Sequence, residues 1–331
     1  MSITFDVYRG SKEGKIVAGQ TTRSLRPTDV YIEMTHSGVC GSDEHFLHSG
    51  HVLGHEGVGI VREVGEAVTH VQVGDRVGFG YIQEVCGICD PCCSGWDQFC
   101  GSRMEYGIHN PDVGSFSTGV VWSARTVVKI PDGYDSVDAA PLMCAGATVW
   151  TCLTEYGARP ADRVGIMGVG GLGHLAIKLA AAMGYHVVVL SSSETKRDEA
   201  MQFGASEYHV FSPGRDMKDL KPLKHLLFCG NVTMDCPSLL PLMDIRGTIY
   251  PLTVDFKCSP VPLHSLNLRG IRIQCTIIAS QNSLRKLVQF AAEKNIKPTV
   301  MKFPFNETGI ADAMQTLREG KMRYRGVLVR E

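Results

Sequence analysis

Charge imbalance is what this sequence most clearly lacks. Its 331 residues carry 33 Lys and Arg against 34 Asp and Glu, for a formal net charge of −1. Without a basic excess there is no electrostatic footprint for nucleic acid or for an anionic membrane surface. No apolar run approaches the length of a membrane span. The opening residues, Met1-Ser2-Ile3-Thr4-Phe5-Asp6, have neither the basic nor the apolar region of a secretory signal, so a cytoplasmic location is the expectation. Internal repeats and low-complexity tracts are missing as well, which sets aside solenoids and disordered tails.

What is present is an ordinary α/β composition, 44% hydrophobic and 20% charged, with 36 Gly and 15 Pro. The length suggests about two domains. The 12 Cys stand out. In a reducing compartment they read as metal ligands, catalytic thiols or small core residues rather than disulfides, and their spacing decides which.

The stretch Gly38-Val39-Cys40-Gly41-Ser42-Asp43-Glu44-His45 places a thiol, a hydroxyl and an imidazole close together, and Gly54-His55-Glu56-Gly57 and Cys144 follow. These residues are expected to assemble a catalytic metal site. Asp29 to His36 alternates as a strand, with Val30, Ile32 and Met34 on one face, and delivers the chain to Cys40. Gly57 to Gly65 and Val71 to Phe79 read as further short strands, and Trp122 to Ile130 as another. Many short strands with frequent glycines predict a partly open, barrel-like β domain. Asp138 to Trp150 reads as a turn leading into a buried small-residue helix.

Cys86, Cys89, Cys92 and Cys100 form C-x2-C-x2-C-x7-C. Four thiolates can close a tetrahedral zinc shell with no open position, which makes such a site structural. Gly87, Asp90 and Pro91 supply the turns. Unliganded loop cysteines are the alternative, as is an iron–sulfur cluster, although the spacing differs from ferredoxin runs. Cys93 is left over as packing or chance.

In the second half, the apolar strand Arg163 to Met167 runs into Gly168-Val169-Gly170-Gly171-Leu172-Gly173, then a helix from His174 to Met183 and a strand from His186 to Leu190. G-x-G-x-x-G inside a βαβ unit is a dinucleotide signature: the glycines let the backbone approach a pyrophosphate at the helix N-terminus. After the second strand the chain has Ser191-Ser192-Ser193-Glu194-Thr195-Lys196-Arg197 rather than an acidic residue at the strand end. Hydroxyls and cations there suit the 2′-phosphate of NADP(H) rather than the free ribose of NAD. Leu226 to Cys229, Gly247 to Leu252 and Ile271 to Ile278 read as later strands of the same sheet, and Leu284 to Glu293 as an amphipathic helix.

Taken together, Cys40-Gly-Ser-Asp-x-His45, Gly54-His-Glu-Gly-Val-Gly59, the four-cysteine lobe, Leu142-Met-Cys-Ala-Gly146 with Thr148, and Gly168 to Gly173 resemble the zinc-dependent medium-chain alcohol dehydrogenases, in their cinnamyl-alcohol-dehydrogenase-like branch. Ser191-Ser-Ser-x-x-Lys196 is similar to that branch's NADP loop, and Phe290 to Ile296 and Tyr324-Arg-Gly-Val to its C-terminal region. The resemblance implies that Cys40, His55 and Cys144 bind a catalytic zinc, that Glu56 can become a fourth ligand, and that Ser42 and His45 relay a proton. It implies a second, structural zinc on Cys86, Cys89, Cys92 and Cys100. It implies NADP(H) on Thr148, Gly168, Gly170, Gly171, Leu172, Gly173, Ser191, Ser192, Ser193 and Lys196. The fold implied is a GroES-like β-rich catalytic domain, residues 1–147 and 281–331, with a Rossmann doubly wound parallel sheet, 148–280, inserted between its halves. A homodimer through the cofactor-domain sheets is implied too, with Ile271 to Ile278 as the edge strand.

One departure stands out. Only residues 41–54 separate Cys40 from His55, fewer than the family usually has. The missing part borders the substrate cleft in the family, so a more open site is expected. His48 and His51 read as solvent-facing rather than ligating. Asp43 reads equally as a carboxylate orienting a ligand or as a turn cap. Phe46, Trp96 and Ile278 are candidates for the substrate pocket and suggest an apolar or aromatic aldehyde. The function expected is an NADP(H)-dependent alcohol dehydrogenase or aldehyde reductase acting on a small molecule. The alternatives are a reductase of conjugated C=C or C=N bonds on the same fold, and a non-catalytic NADP-binding scaffold or sensor.

Overall fold

The computed structural model describes residues 2–254 and 258–330. The chain divides into two compact units, one of residues 1–147 and 278–331 and the other of 148–277. No single helix among the described residues is long and apolar enough to cross a membrane.

The first unit is built on the long strand Asp29–Val39. Its alternation holds: Val30, Ile32 and Met34 are fully buried on one face. One edge of this strand pairs antiparallel with Gly57–Val64. The other edge pairs with Gly119–Ser123 along its first half and with Arg325–Val329 along its second. Arg76–Phe79, Val127–Lys129 and Val300–Pro304 extend the seven-stranded sheet. The hairpin of Ser2–Gly10 and Ile16–Ser24 forms a separate two-stranded sheet.

One expected element is broken here. Trp122 to Ile130 is not one strand; a 3-10 turn over Ala124–Thr126 divides it, and Thr126 turns its hydroxyl onto the Gln83 and Ser123 carbonyls. The expected turn leading into a small-residue helix is present. A helical turn at Ser136–Ala139 tightens to 3-10 over Ala140–Met143, and helix Ala145–Thr154 starts only after Cys144, whose φ of −129° leaves the helical region. Pro141 removes an N–H donor within this stretch.

The second unit holds a parallel sheet in the spatial order Glu207–Val210, His186–Ser191, Arg163–Met167, Leu223–Phe228, Met243–Pro251, Arg272–Ile273. In chain order that is third, second, first, fourth, fifth, sixth, the doubly wound Rossmann arrangement with its switch point beside the first strand. The strand expected over Ile271 to Ile278 is only Arg272–Ile273, because the chain leaves sheet pairing at Gln274.

Candidate metal centre and cofactor loop

Strand pairing explains why distant residues converge in the first unit. Cys40 follows the C-terminal end of Asp29–Val39. Ser37 is paired with Gly57, so His55 and Glu56 arrive at that same end of the sheet. Val39 is paired with Gly326, which brings Arg325 there too. A Cβ at Gly80 would lie 2.3 Å from the Met143 carbonyl oxygen, so the absence of a side chain lets the 140–143 turn close on the sheet and present Cys144.

The result is a buried set in which ligand atoms of Cys40, His55, Glu56 and Cys144 all lie within 4.8 Å of one another. Asp43 orders it. Its Oδ1 accepts from His55 Nδ1 at 2.8 Å and its Oδ2 from the Cys40 backbone N–H at 2.9 Å, so Asp43 both orients a ligand and caps the turn. A carboxylate can only accept, which places a proton on Nδ1, so in the neutral imidazole that a metal would bind the lone pair is on Nε2. That Nε2 is buried with no hydrogen-bond partner among the described residues, and so is Glu56 Oε2. Glu56 Oε1 accepts from Arg325 Nη2. Gly38 makes room for this carboxylate, since a Cβ there would fall 1.9 Å from Glu56 Oε2.

The electrostatics suit a cation. The hydrogen bond from the Cys144 thiol holds the Cys40 thiol well below its ordinary range, against burial and with help from His55. The same bond, with burial, pushes Cys144 up. Burial alone would push His55 down, but the Asp43 carboxylate and Cys40 outweigh it and hold the imidazole above its usual value. Burial lifts Glu56 to about 7 against the pull of Arg325. Protons are therefore shared among groups that a divalent ion would deprotonate and bind.

Cys86, Cys89, Cys92 and Cys100 form the second set with mutually close donor atoms. Cys100 Sγ lies 3.5 Å from Cys86 Sγ, and Cys86 Sγ 4.0 Å from Cys92 Sγ. Zn–S bonds of about 2.3 Å in a tetrahedron put sulfurs about 3.8 Å apart, so the spread fits. Cys89 opens the turn Asp90–Cys93, and Cys100 is delivered by the 3-10 turn Asp97–Phe99. Cys93 is exposed and outside the set.

Ser42 is half-buried on the short helix Gly41–Glu44, and His45 caps that helix in solvent. His48 is exposed and bonds the Lys12 carbonyl oxygen; His51 bonds Ser49 Oγ at 2.7 Å. Neither belongs to the metal set. The short connection is tightly seated: Leu47, Val52 and Leu53 are buried, and Gly10 carries no Cβ because Leu47 O sits where it would be. The Phe46 ring packs edge-on against Tyr106 and His51. Trp96 lies beside Phe99 in the four-cysteine lobe, and Ile278 is buried with φ of 36°, rare for a β-branched residue. A cavity of about 420 Å³ lined by Arg23, Gln83, Met104, Asn110 and Trp122 includes none of these three.

In the second unit, Gly168 has φ of 94°, and a Cβ on Gly173 would lie 1.9 Å from Gly168 O. This turn can therefore close only with glycine at both positions. Gly170 has nothing within 4 Å of its missing Cβ, which leaves open space above the loop. Helix Gly173–Ala182 starts at Leu172, with its N–H groups toward the turn. Ser191 ends its strand, Ser193 Oγ and Thr195 Oγ1 are 2.8 Å apart, and Lys196 Nζ donates to the Val169 carbonyl at 2.6 Å. That bond places the ammonium directly over the glycine turn. Arg197 instead pairs with Glu194. Thr148 lies on helix Ala145–Thr154.

Sequence reasoning missed two residues of the metal centre. Arg325 sits in Arg-Gly-Val-Leu-Val, where a charge entering an apolar strand signals a buried partner. Tyr106 had no motif to mark it.

Comparison with known proteins shows the family. Residues 26–132 match the alcohol dehydrogenase GroES-like domain, and residues 171–293 the zinc-binding dehydrogenase domain. A probable cinnamyl alcohol dehydrogenase of Eucalyptus globulus is 36% identical over 328 residues, covering 92% of this chain and 90% of that protein. The solved cinnamyl alcohol dehydrogenase SbCAD4 of Sorghum bicolor superposes with a TM-score of 0.92 at 28% identity, covering 99% and 98% of the two chains. A cinnamyl alcohol dehydrogenase of Helicobacter pylori, solved with NADP(H), gives 0.90 at 25% identity, covering 99% of each. By its domains, its relatives and its two cysteine-rich sets, the chain belongs to the zinc-binding alcohol dehydrogenase family.

Proposed function

We propose that this chain is a zinc-dependent alcohol dehydrogenase and aldehyde reductase that uses NADP(H). The observation that carries the reading is the buried Cys40, His55, Glu56 and Cys144 set, with His55 Nε2 and Glu56 Oε2 unpartnered inside it. Cys40, His55 and Cys144 would hold a catalytic zinc, and Glu56 could take its fourth position. Bound there, zinc supplies a Lewis acid to an alcohol or carbonyl oxygen. The Cys86, Cys89, Cys92 and Cys100 set would hold a structural zinc. Gly168 to Gly173 would receive the pyrophosphate of NADP(H) and Ser191, Ser192, Ser193 and Lys196 its 2′-phosphate, while the nicotinamide supplies the hydride chemistry.

The chain's own work is positioning and proton movement. Asp43 holds His55 in the tautomer that leaves Nε2 for the metal. Arg325 holds Glu56 from the opposite side. The Ser42 hydroxyl moves the proton of the reacting oxygen toward His45, which is exposed and exchanges with solvent. The same groups run in reverse for aldehyde reduction. Thiolate-rich sites suit a reducing, cytoplasmic compartment. The exposed strand edge at Arg272–Ile273, next to exposed Leu263 and Leu268, supports a homodimer formed through the second unit.

The test is a product-resolved assay with NADPH and NADH in parallel, on an aromatic enal such as cinnamaldehyde, chosen because of the cinnamyl relatives. The expected result is the unsaturated alcohol, NADPH preferred, with two zinc ions per chain. A saturated aldehyde would instead identify a C=C reductase. Tight NADPH binding with two zincs and no turnover across an aldehyde panel would leave a non-catalytic scaffold.

A further inference from the structure

Tyr106 is fully buried, carries no recognisable motif, and bonds two neighbours of His55, the Asp43 carboxylate and the Gly54 amide. Its hydroxyl donates to Asp43 Oδ1 at 3.0 Å, the same oxygen that accepts from His55 Nδ1 at 2.8 Å. The same hydroxyl accepts from the backbone N–H of Gly54 at 2.9 Å, the residue before His55. Its ring lies 4.8 Å from the His55 imidazole, tilted by 32°. Phe46 closes on the far side at 5.2 Å, and Gly107 admits that ring, since a Cβ there would fall 2.2 Å from Phe46 Cζ.

We infer that Tyr106 is the positioning residue of the metal ligand His55, acting through Asp43 and through the Gly54 amide. The argument is one of degrees of freedom. Asp43 fixes the imidazole tautomer and is anchored at Oδ2 by the Cys40 amide, but Oδ1 can still turn with His55 about that anchor unless a donor pins it as well. Tyr106 is that donor. The chain around Gly54 has φ of 88°, and its N–H is satisfied by the phenol rather than by a strand neighbour. One hydroxyl therefore ties the backbone that carries His55 to the carboxylate that aims it. Outer partners of this kind are worth about 10- to 100-fold in metal affinity.

The inference rests on the reading of Cys40, His55 and Cys144 as metal ligands. It is tested on the full chain loaded with Co²⁺ at that site and zinc in the four-cysteine lobe. Tyr106→Phe keeps the ring and removes the hydroxyl. The expected result is an altered ligand-field spectrum and about 10-fold faster loss of cobalt to a chelator, with the lobe zinc retained. Replacing Tyr106 with 4-aminophenylalanine, which still donates to Asp43 but accepts only weakly from the Gly54 amide, is expected to restore the Asp43 arm and so to bring both readouts back part of the way. This also covers a Tyr106→Phe chain that does not fold. An unchanged spectrum and chelation rate in folded Tyr106→Phe would overturn the inference, as would an amino variant that folds yet loses cobalt no more slowly than Tyr106→Phe or, where that chain does not fold, at least about 10-fold faster than wild type. A wild-type chain that takes metal only in the four-cysteine lobe fails earlier and refutes the ligand reading itself.

Discussion

Arg325 brings a fixed positive charge into a centre whose acidic groups are Cys40, Cys144, Glu56 and Asp43. A bound dication and Arg325 together would balance the two thiolates and the Glu56 carboxylate, leaving the Asp43 carboxylate against His55. Arg325 and Glu56 are both almost fully buried, so neither can fall back on water. Removing one partner of such a pair costs about 3–5 kcal/mol, whereas removing both costs far less. Arg325→Met should therefore destabilise the zinc-loaded protein by about that amount in urea titrations, and adding Glu56→Gln should recover most of it. Equal stability of wild type and Arg325→Met would show that the pair is not coupled. Ser42 makes a different demand. Ser42→Ala should lower turnover by about 10²-fold or more while leaving metal content unchanged; wild-type turnover would remove Ser42 from proton transfer. Cys40, His55 and Cys144 were legible because each sits in a short motif whose glycines mark a special backbone. Arg325 and Tyr106 were not, because their partners are set by strand register and by a loop closing over Gly54.

Single elements here are held by devices that alternation does not reveal. The four-cysteine lobe has little apolar core of its own: Ile88 is 82% exposed and Phe99 40%. A metal on the four sulfurs would order it together with Asp97, which accepts the Gln281 backbone N–H at 3.0 Å. Cys100→Ser should drop zinc from two per chain to one and open residues 86–100 to proteolysis before activity falls. A variant that keeps two zincs and resists protease would refute the closed-shell reading. In the second unit, Glu207 ties the starts of three adjacent strands, accepting from Arg163 at 2.7 Å, His186 at 2.7 Å and His209 at 3.1 Å. Arg163, then the two histidines, hold this carboxyl well below its usual range against partial burial. A lowered carboxylate stabilises the fold above its unfolded pKa of about 4.3 and loses that contribution as pH falls toward the folded value. Since the Glu207 side chain is 30% exposed, the contribution is about 1 kcal/mol. Glu207→Gln should show that deficit at pH 7, and the gap should narrow below about pH 4; a gap constant down to pH 3 would rule the network out. Alternation located Asp29–Val39 and the βαβ strands well. It ran Trp122 to Ile130 together because a polar residue that bonds two carbonyls looks, in sequence, like one more outward position.

At the scale of the molecule, the C-terminal return is the feature that residue patterns could not supply. Arg325–Val329 reaches its neighbour Asp29–Val39 only by strand pairing across nearly the whole chain. Family resemblance, not periodicity, placed 281–331 with the first half. The division of labour that follows can be tested directly. Both cysteine-rich sets belong to the first unit, and the glycine turn and serine loop belong to the second. A ligand that binds only the folded state stabilises what it binds in proportion to its excess over Kd. Metal removal and cofactor addition should therefore act on different stretches of chain in hydrogen exchange. A chelator should speed exchange in 36–40, 53–58, 86–100, 140–144 and 325–329, the segments that carry the ligands and their supports. NADPH should slow exchange in 163–197, most strongly at 168–173 and 191–196, with NADH weaker in the second window because it offers no 2′-phosphate to Lys196. If NADPH and NADH protect 191–196 equally, the serine loop does not read the phosphate. If the chelator loosens 163–197 before 53–58, the metal does not organise the first unit.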